Sequence, residues 1–125
     1  MEYIYGFSHD NIVDVLSTAT YGSDWLGIHV ADDDKSKALK AQAETKYDCC
    51  EDIWAFVLEH GGRLDCYDNY DDKKMTINMD DYTKGFNVFK ESCKGDYKDL
   101  MNDDGDYITA NNLMQCVMFG EVIYG

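Results

Sequence analysis

Aspartate is the residue type through which this sequence could do most chemistry. Its 25 acidic residues comprise 19 Asp and six Glu, against 11 basic residues with a lone arginine, Arg63, for a net charge of −14. The aspartates gather in groups: Asp32-Asp33-Asp34, Asp65 with Asp68, Asp71-Asp72, Asp80-Asp81, and Asp96, Asp99, Asp103, Asp104 and Asp106 along residues 96–106. A short Asp side chain holds its charge close to the backbone, so rows of them on a folded scaffold can imitate the spaced anions of a phosphate backbone; the alternative is that acidic loops merely keep the domain soluble and monomeric. Such a field draws in basic protein surfaces and speeds encounter with them. It repels nucleic acid and anionic membranes, because direct DNA or RNA binding needs cations that displace counterions from phosphates. Asp48, Asp80 and Asp81 read as helix caps. The expected partner-binding set is therefore Asp32, Asp33, Asp34, Asp65, Asp68, Asp71, Asp72, Asp96, Asp99, Asp103, Asp104 and Asp106, with Tyr67, Tyr70 and Tyr97 as aromatic anchors.

Other chemistries fail on spacing. Asn102-Asp103-Asp104-Gly105-Asp106-Tyr107-Ile108-Thr109 looks like the calcium loop of an EF-hand, but its register does not fit. Placing Ile108 at the loop's hydrophobic position puts Met101 first, Asp106 at the glycine and Asn112 at the bidentate Glu; placing Gly105 at the glycine puts Leu100 first and Asn111 last. His9, His29 and His60 form no H-x-x-x-H or H-E-x-x-H pair, so no metal ligand set is expected. The cysteines Cys49, Cys50, Cys66, Cys93 and Cys116 contain no C-x-x-C unit and read as reduced thiols, Cys66 and Cys116 among apolar neighbours. Neither a nucleophile elbow nor a glycine-rich phosphate loop occurs. No catalytic residue and no cofactor are assigned, and an enzyme is not expected.

The elements that must carry these groups follow from hydrophobic period. With 45 % hydrophobic and 14 % aromatic residues over 125 positions, the chain suits one compact domain over 1–125 rather than a disordered tail. Residues 2–7 alternate as a short strand. Ser8 caps a helix bearing Ile12, Val13, Leu16 and Ala19, which Gly22 can end. Leu26, Ile28 and Val30 alternate in a half-buried strand, and residues 35–46, rich in Ala and Lys, read as a helix with a thin apolar stripe. Asp48 with Glu51 opens a helix whose apolar face is Ile53, Trp54, Val57 and Leu58 and which stops at Gly61-Gly62. Residues 63–67 and 74–79 form a hairpin with Leu64, Cys66, Met75, Ile77 and Met79 facing inward. Asp80 or Asp81 caps a helix with Tyr82, Phe86, Phe89 and Cys93, broken at Lys94-Gly95. Thr109 caps a last helix with Leu113, Met114, Val117 and Met118, ending at Gly120, and residues 122–124 finish as a short strand. The sum is α+β: an antiparallel sheet of three or more strands with about four helices packed mainly on one face. No apolar stretch approaches the length of a bilayer span and no signal peptide opens the sequence, which places the protein in a cytoplasm.

Asn11-Ile12-Val13-Asp14-Val15-Leu16-Ser17-Thr18-Ala19-Thr20 with Gly22 and Trp25, the Gly61-Gly62 strand, Lys84-Gly85-Phe86, and Asn112-Leu113-Met114-Gln115-Cys116-Val117-Met118-Phe119-Gly120-Glu121-Val122-Ile123-Tyr124-Gly125 together resemble small acidic proteins of unassigned function carried by phages and mobile elements of Gram-positive bacteria. Before Trp25 the chain departs from the expected glycine-rich turn, reading Tyr21-Gly22-Ser23-Asp24. The resemblance carries no catalytic residues. What it implies is inhibition of a host defence system, of the anti-CRISPR or anti-restriction kind, in which a basic nucleic-acid channel such as that of a CRISPR effector or another nuclease is occupied. Two other expectations stand beside it: a divalent-cation-binding module using the acidic C-terminal loop, and a phage accessory protein that self-associates.

Overall fold

A computed structural model describes residues 7–102 and 104–124, in which six helices and a three-stranded antiparallel sheet form an α+β architecture. Helix α1 (His9–Tyr21) starts where the Ser8 hydroxyl accepts from Asn11 N at 3.1 Å, and it buries Ile12, Val15, Leu16 and Ala19 on one stripe. Strand β1 (Leu26–Val30) pairs with β2 (Leu64–Asp68), and β2 with β3 (Lys73–Ile77), both antiparallel. Alternation decides the faces. Leu26, Ile28, Leu64, Cys66 and Ile77 are buried, whereas Gly27, His29, Tyr67, Lys74 and Thr76 on the opposite side are partly or fully exposed.

Between the strands lie α2 (Asp34–Glu44) and α3 (Cys50–Glu59); after them come α4 (Met79–Ser92), α5 (Lys94–Met101) and α6 (Tyr107–Phe119). Helix α6 is the centre of the molecule, with Leu113, Met114, Gln115, Cys116, Val117 and Met118 all buried. It runs against α4 so closely that a Cβ on Gly85 would lie 2.2 Å from Val117 Cα. Only a glycine permits that approach.

Several expectations need correction. The helices number six among the described residues, not about four; five fall on the segments read as helical, and α5, residues 94–101, is the one that the sequence did not announce. Asp48 is no cap: α3 begins after Cys49 without a side-chain cap bond. Neither Asp80 nor Asp81 is the N-cap of α4. Asn78 holds that place, accepting from Asp81 N at 2.9 Å while the Asp81 carboxylate accepts from Asn78 N at 3.0 Å, a reciprocal box that starts the helix at Met79 and removes Met79 from the strand. Thr109 is buried inside α6, which Asp106 caps by accepting from Ile108 N at 3.0 Å and Thr109 N at 3.1 Å. Met75 is exposed on β3. Residues 122–124 form no strand, since their backbone groups pair with a side chain, as described below. The strand expected over 2–7 lies outside the described residues except for Phe7.

Candidate binding cleft and its acidic surround

Where the end of α1, the α1–β1 turn, the β2–β3 turn, the start of α6 and the C-terminal tail meet, they enclose an open cleft of about 440 Å³. Its floor is aromatic. Trp25 is buried, its ring centroid 5.5 Å from that of Tyr124 and 5.8 Å from that of Phe119, and its indole Nε1 has no hydrogen-bond partner. Tyr124 meets Tyr70 edge-on at 5.3 Å. Around the mouth stand Tyr21, 80 % exposed, with Tyr70, Tyr107 and Ile108, each about half or more exposed. Isolated exposed rings are ordinary; four large apolar side chains around one concavity are a surface suited to contact.

Three local devices build the cleft. At the turn after α1, a Cβ on Gly22 would fall 2.3 Å from Tyr107 Cβ, so glycine lets the start of α6 press on the end of α1. In the β2–β3 turn, the buried Asp68 accepts from Tyr70 N at 3.1 Å and Asp71 N at 3.3 Å, and from the Tyr124 hydroxyl at 2.5 Å. That hydroxyl bond to a carboxylate, with desolvation and nearby negative charge adding to it, pushes the Tyr124 pKa up to about 12. The tail itself is held by Gln115, which is fully buried in α6: its Oε1 accepts from Ile123 N and Tyr124 N, both at 2.8 Å, and its Nε2 donates to Asn111 Oδ1 at 2.7 Å and Tyr124 O at 3.3 Å. A side-chain amide thus takes the place of a neighbouring strand.

No protein-family model matches the chain, and no curated protein or solved structure matches it either. Function therefore has to be argued from the site.

The structure divides the expected carboxylates. Asp33, Asp65, Asp68, Asp96 and Asp106 have structural work. Asp33 caps α2, accepting from Ser36 N at 2.7 Å, Ser36 Oγ at 2.9 Å and Arg63 Nε at 3.2 Å; the backbone N–H of Ser36 is the chief reason its pKa is lowered. Asp65 accepts from Thr76 Oγ1 at 2.7 Å across the sheet, and Asp96 from Asn112 Nδ2 at 2.9 Å. Asp32, Asp34, Asp71, Asp72, Asp99 and Asp104 are exposed, with Lys37 3.4 Å from Asp32 and Lys73 3.0 Å from Asp71. Asp103 lies outside the described residues. None of the other groups lines the cleft, though Asp71-Asp72 follow the lining residue Tyr70 in sequence and Asp104 and Asp106 precede Tyr107; the carboxylate that lines it is Asp24. None of the lining residues is basic.

The aromatic anchors divide likewise. Tyr70 stands at the cleft. Tyr67 lies on the outer sheet face, edge-on to His29 at 5.5 Å. Tyr97 is a packing residue, half-buried against Phe86 and Phe89 with Lys90 Nζ 5.7 Å from its ring centre. Sequence reasoning missed Tyr21, Tyr107 and Ile108. The available signal was their position off the buried stripes of α1 and α6, which leaves large side chains with no core to enter.

Elsewhere the cysteines divide, Cys49 and Cys50 being exposed free thiols while Cys66 and Cys116 are buried. Burial pushes the Cys66 and Cys116 thiols up to about 12, which leaves neither as thiolate near neutrality. His9 lies between Glu59 Oε1 at 2.7 Å and Asp52 Oδ1 at 2.9 Å. Among the described residues, no three His, Cys, Asp or Glu side chains come together as a metal site, and no helix is long and apolar enough to cross a membrane.

Proposed function

We propose that this protein binds a basic, nucleic-acid-binding surface of another protein and blocks it, as an inhibitor of the anti-CRISPR or anti-restriction kind. One arrangement carries this reading: a cleft rimmed by exposed Tyr21, Tyr70, Tyr107 and Ile108 and lined by Asp24 and no basic residue, with the exposed Asp71, Asp72, Asp104 and Asp106 close in sequence to Tyr70 and Tyr107. Interfaces draw their energy from central aromatic anchors and their encounter rate and orientation from charge at the rim. The exposed Asp32, Asp34 and Asp99 extend the negative field beyond the cleft. A blocker of this kind needs no cofactor and no reacting group.

The test is nuclease competition. The protein is added to a panel of CRISPR effectors and restriction nucleases of Gram-positive bacteria, duplex binding and cleavage are measured at about 0.1 M salt, and the complex of the protein with each nuclease is measured without nucleic acid at about 0.1 M and about 1 M salt, where the screening length falls from about 10 Å to about 3 Å. Suppression at low salt, by a complex that dissociates at high salt, is the expected result. Full binding and cleavage by every member at low salt would end the proposal.

A further inference from the structure

We infer that the cleft is a receptor for an arginine side chain, so that one guanidinium of the partner inserts between its tyrosines; this rests on the reading that the partner is a basic protein. The hydrogen-bond inventory around the cavity points to a donor-rich occupant. The Ser23 hydroxyl donates to Ala19 O at 2.6 Å, and the Tyr124 hydroxyl donates to Asp68, so each oxygen turns only lone pairs toward a ligand. Asn112 spends one Nδ2 hydrogen on Asp96 and keeps its second N–H as a donor and Oδ1 as an acceptor. Asp24 adds an exposed carboxylate. Asn111 keeps an amide donor, its Oδ1 being taken by Gln115, while the unpartnered Trp25 Nε1 is shielded from solvent. The Tyr70 and Tyr107 hydroxyls and the two asparagines can act either way, but the oxygens of Ser23 and Tyr124 only accept, and the charge among the lining residues is the negative one of Asp24.

Arginine answers both features. It presents five N–H donors in a plane, accepts nothing, and stacks on ring faces whose quadrupole attracts a cation. A lysine ammonium offers the charge without the planar fork. The cavity, about 440 Å³, falls within the range of about 300–1,000 Å³ usual for ligand sites.

The probe is an eight-residue peptide alternating arginine with glycine, compared with its lysine counterpart and with its citrulline counterpart, which keeps the shape and loses the charge. Binding is followed by the indole N–H resonance of Trp25, assigned with the aid of Trp54→Phe, and by calorimetry. The arginine peptide should shift that resonance saturably and bind several-fold more tightly than the lysine peptide and about tenfold more tightly than the citrulline peptide. Asp24→Asn alters an exposed side chain and should weaken it about fivefold with an unchanged melting midpoint, and Tyr107→Ala should weaken it about as much in protein shown to be folded by its melting curve, whereas Glu91→Gln, an equal charge loss on α4, should leave it within about twofold. Equal binding of the citrulline peptide, or arginine-peptide binding that ignores both cleft substitutions, would overturn the inference and leave the inhibitor reading standing. Absence of binding by both cationic peptides at low salt would overturn the two together.

Discussion

His9 joins the start of α1 to α3 through its two carboxylate partners, and its ring stacks on Tyr47 at 5.1 Å. Burial of the imidazole opposes its positive charge, but the hydrogen bonds to Asp52 and Glu59 outweigh it and raise the pKa above the ordinary 6.5. A raised pKa in the folded state means that the stabilisation is complete below about 6.5 and is lost as pH climbs through the higher folded value. Calorimetric melting from about pH 6 to about pH 8 should therefore show wild type losing its advantage over His9→Gln, and a pH-independent difference would discount the clamp. At the other end of the chain, Tyr124→Phe removes the bond to the buried Asp68 carboxylate. The urea-unfolding midpoint should fall relative to wild type. An unchanged midpoint would mean that the two backbone N–H groups on Asp68 suffice.

Helices α4 and α6 approach backbone to backbone at Gly85, where a methyl group would strike Val117 N, Cα and Cγ2. Gly85→Ala should cost about 3 kcal/mol or more by chemical denaturation, because rigid backbone has to move. Gly95→Ala, whose added Cβ would meet open space in α5, should be neutral or stabilising by up to about 1 kcal/mol. The elements themselves were largely legible: Ser8, the Ile12–Leu16–Ala19 stripe, the alternation Leu26–Ile28–Val30, Gly61-Gly62 and Gly120 all mark boundaries that local chemistry decides. What escaped was decided by contacts distant in sequence. Helix α5 has a single buried residue, Leu100, and so no stripe to announce it. Residues 122–124 alternate like a strand, yet Gln115 claims their amides. The cleft was partly visible in Tyr70. Its other tyrosines come from elements 86 positions apart, Tyr21 and Tyr107, which only the folded chain brings together.

A net charge of −14 on a chain of this size makes ionic strength a control over the whole molecule, with opposite signs for its two equilibria. Screening relieves self-repulsion in the folded state, so the melting temperature should rise between about 0.1 M and about 1 M salt, while capture of a basic partner should weaken over the same interval. A melting temperature that falls with salt would show that the attractive pairs, such as Lys37 with Asp32 and Lys73 with Asp71, outweigh the repulsion. The cleft is asymmetric in its construction. On one side Gly22 sits in van der Waals contact with Tyr107, and nothing there can slide without lifting α6 from α1. The other side hangs from the amide of Gln115 and from the Tyr124 hydroxyl on Asp68. Any breathing of the cleft must pass through that hinge: the amide protons of Ile123 and Tyr124 should exchange with solvent in step, sooner than those buried in α6, and an occupant should retard both together.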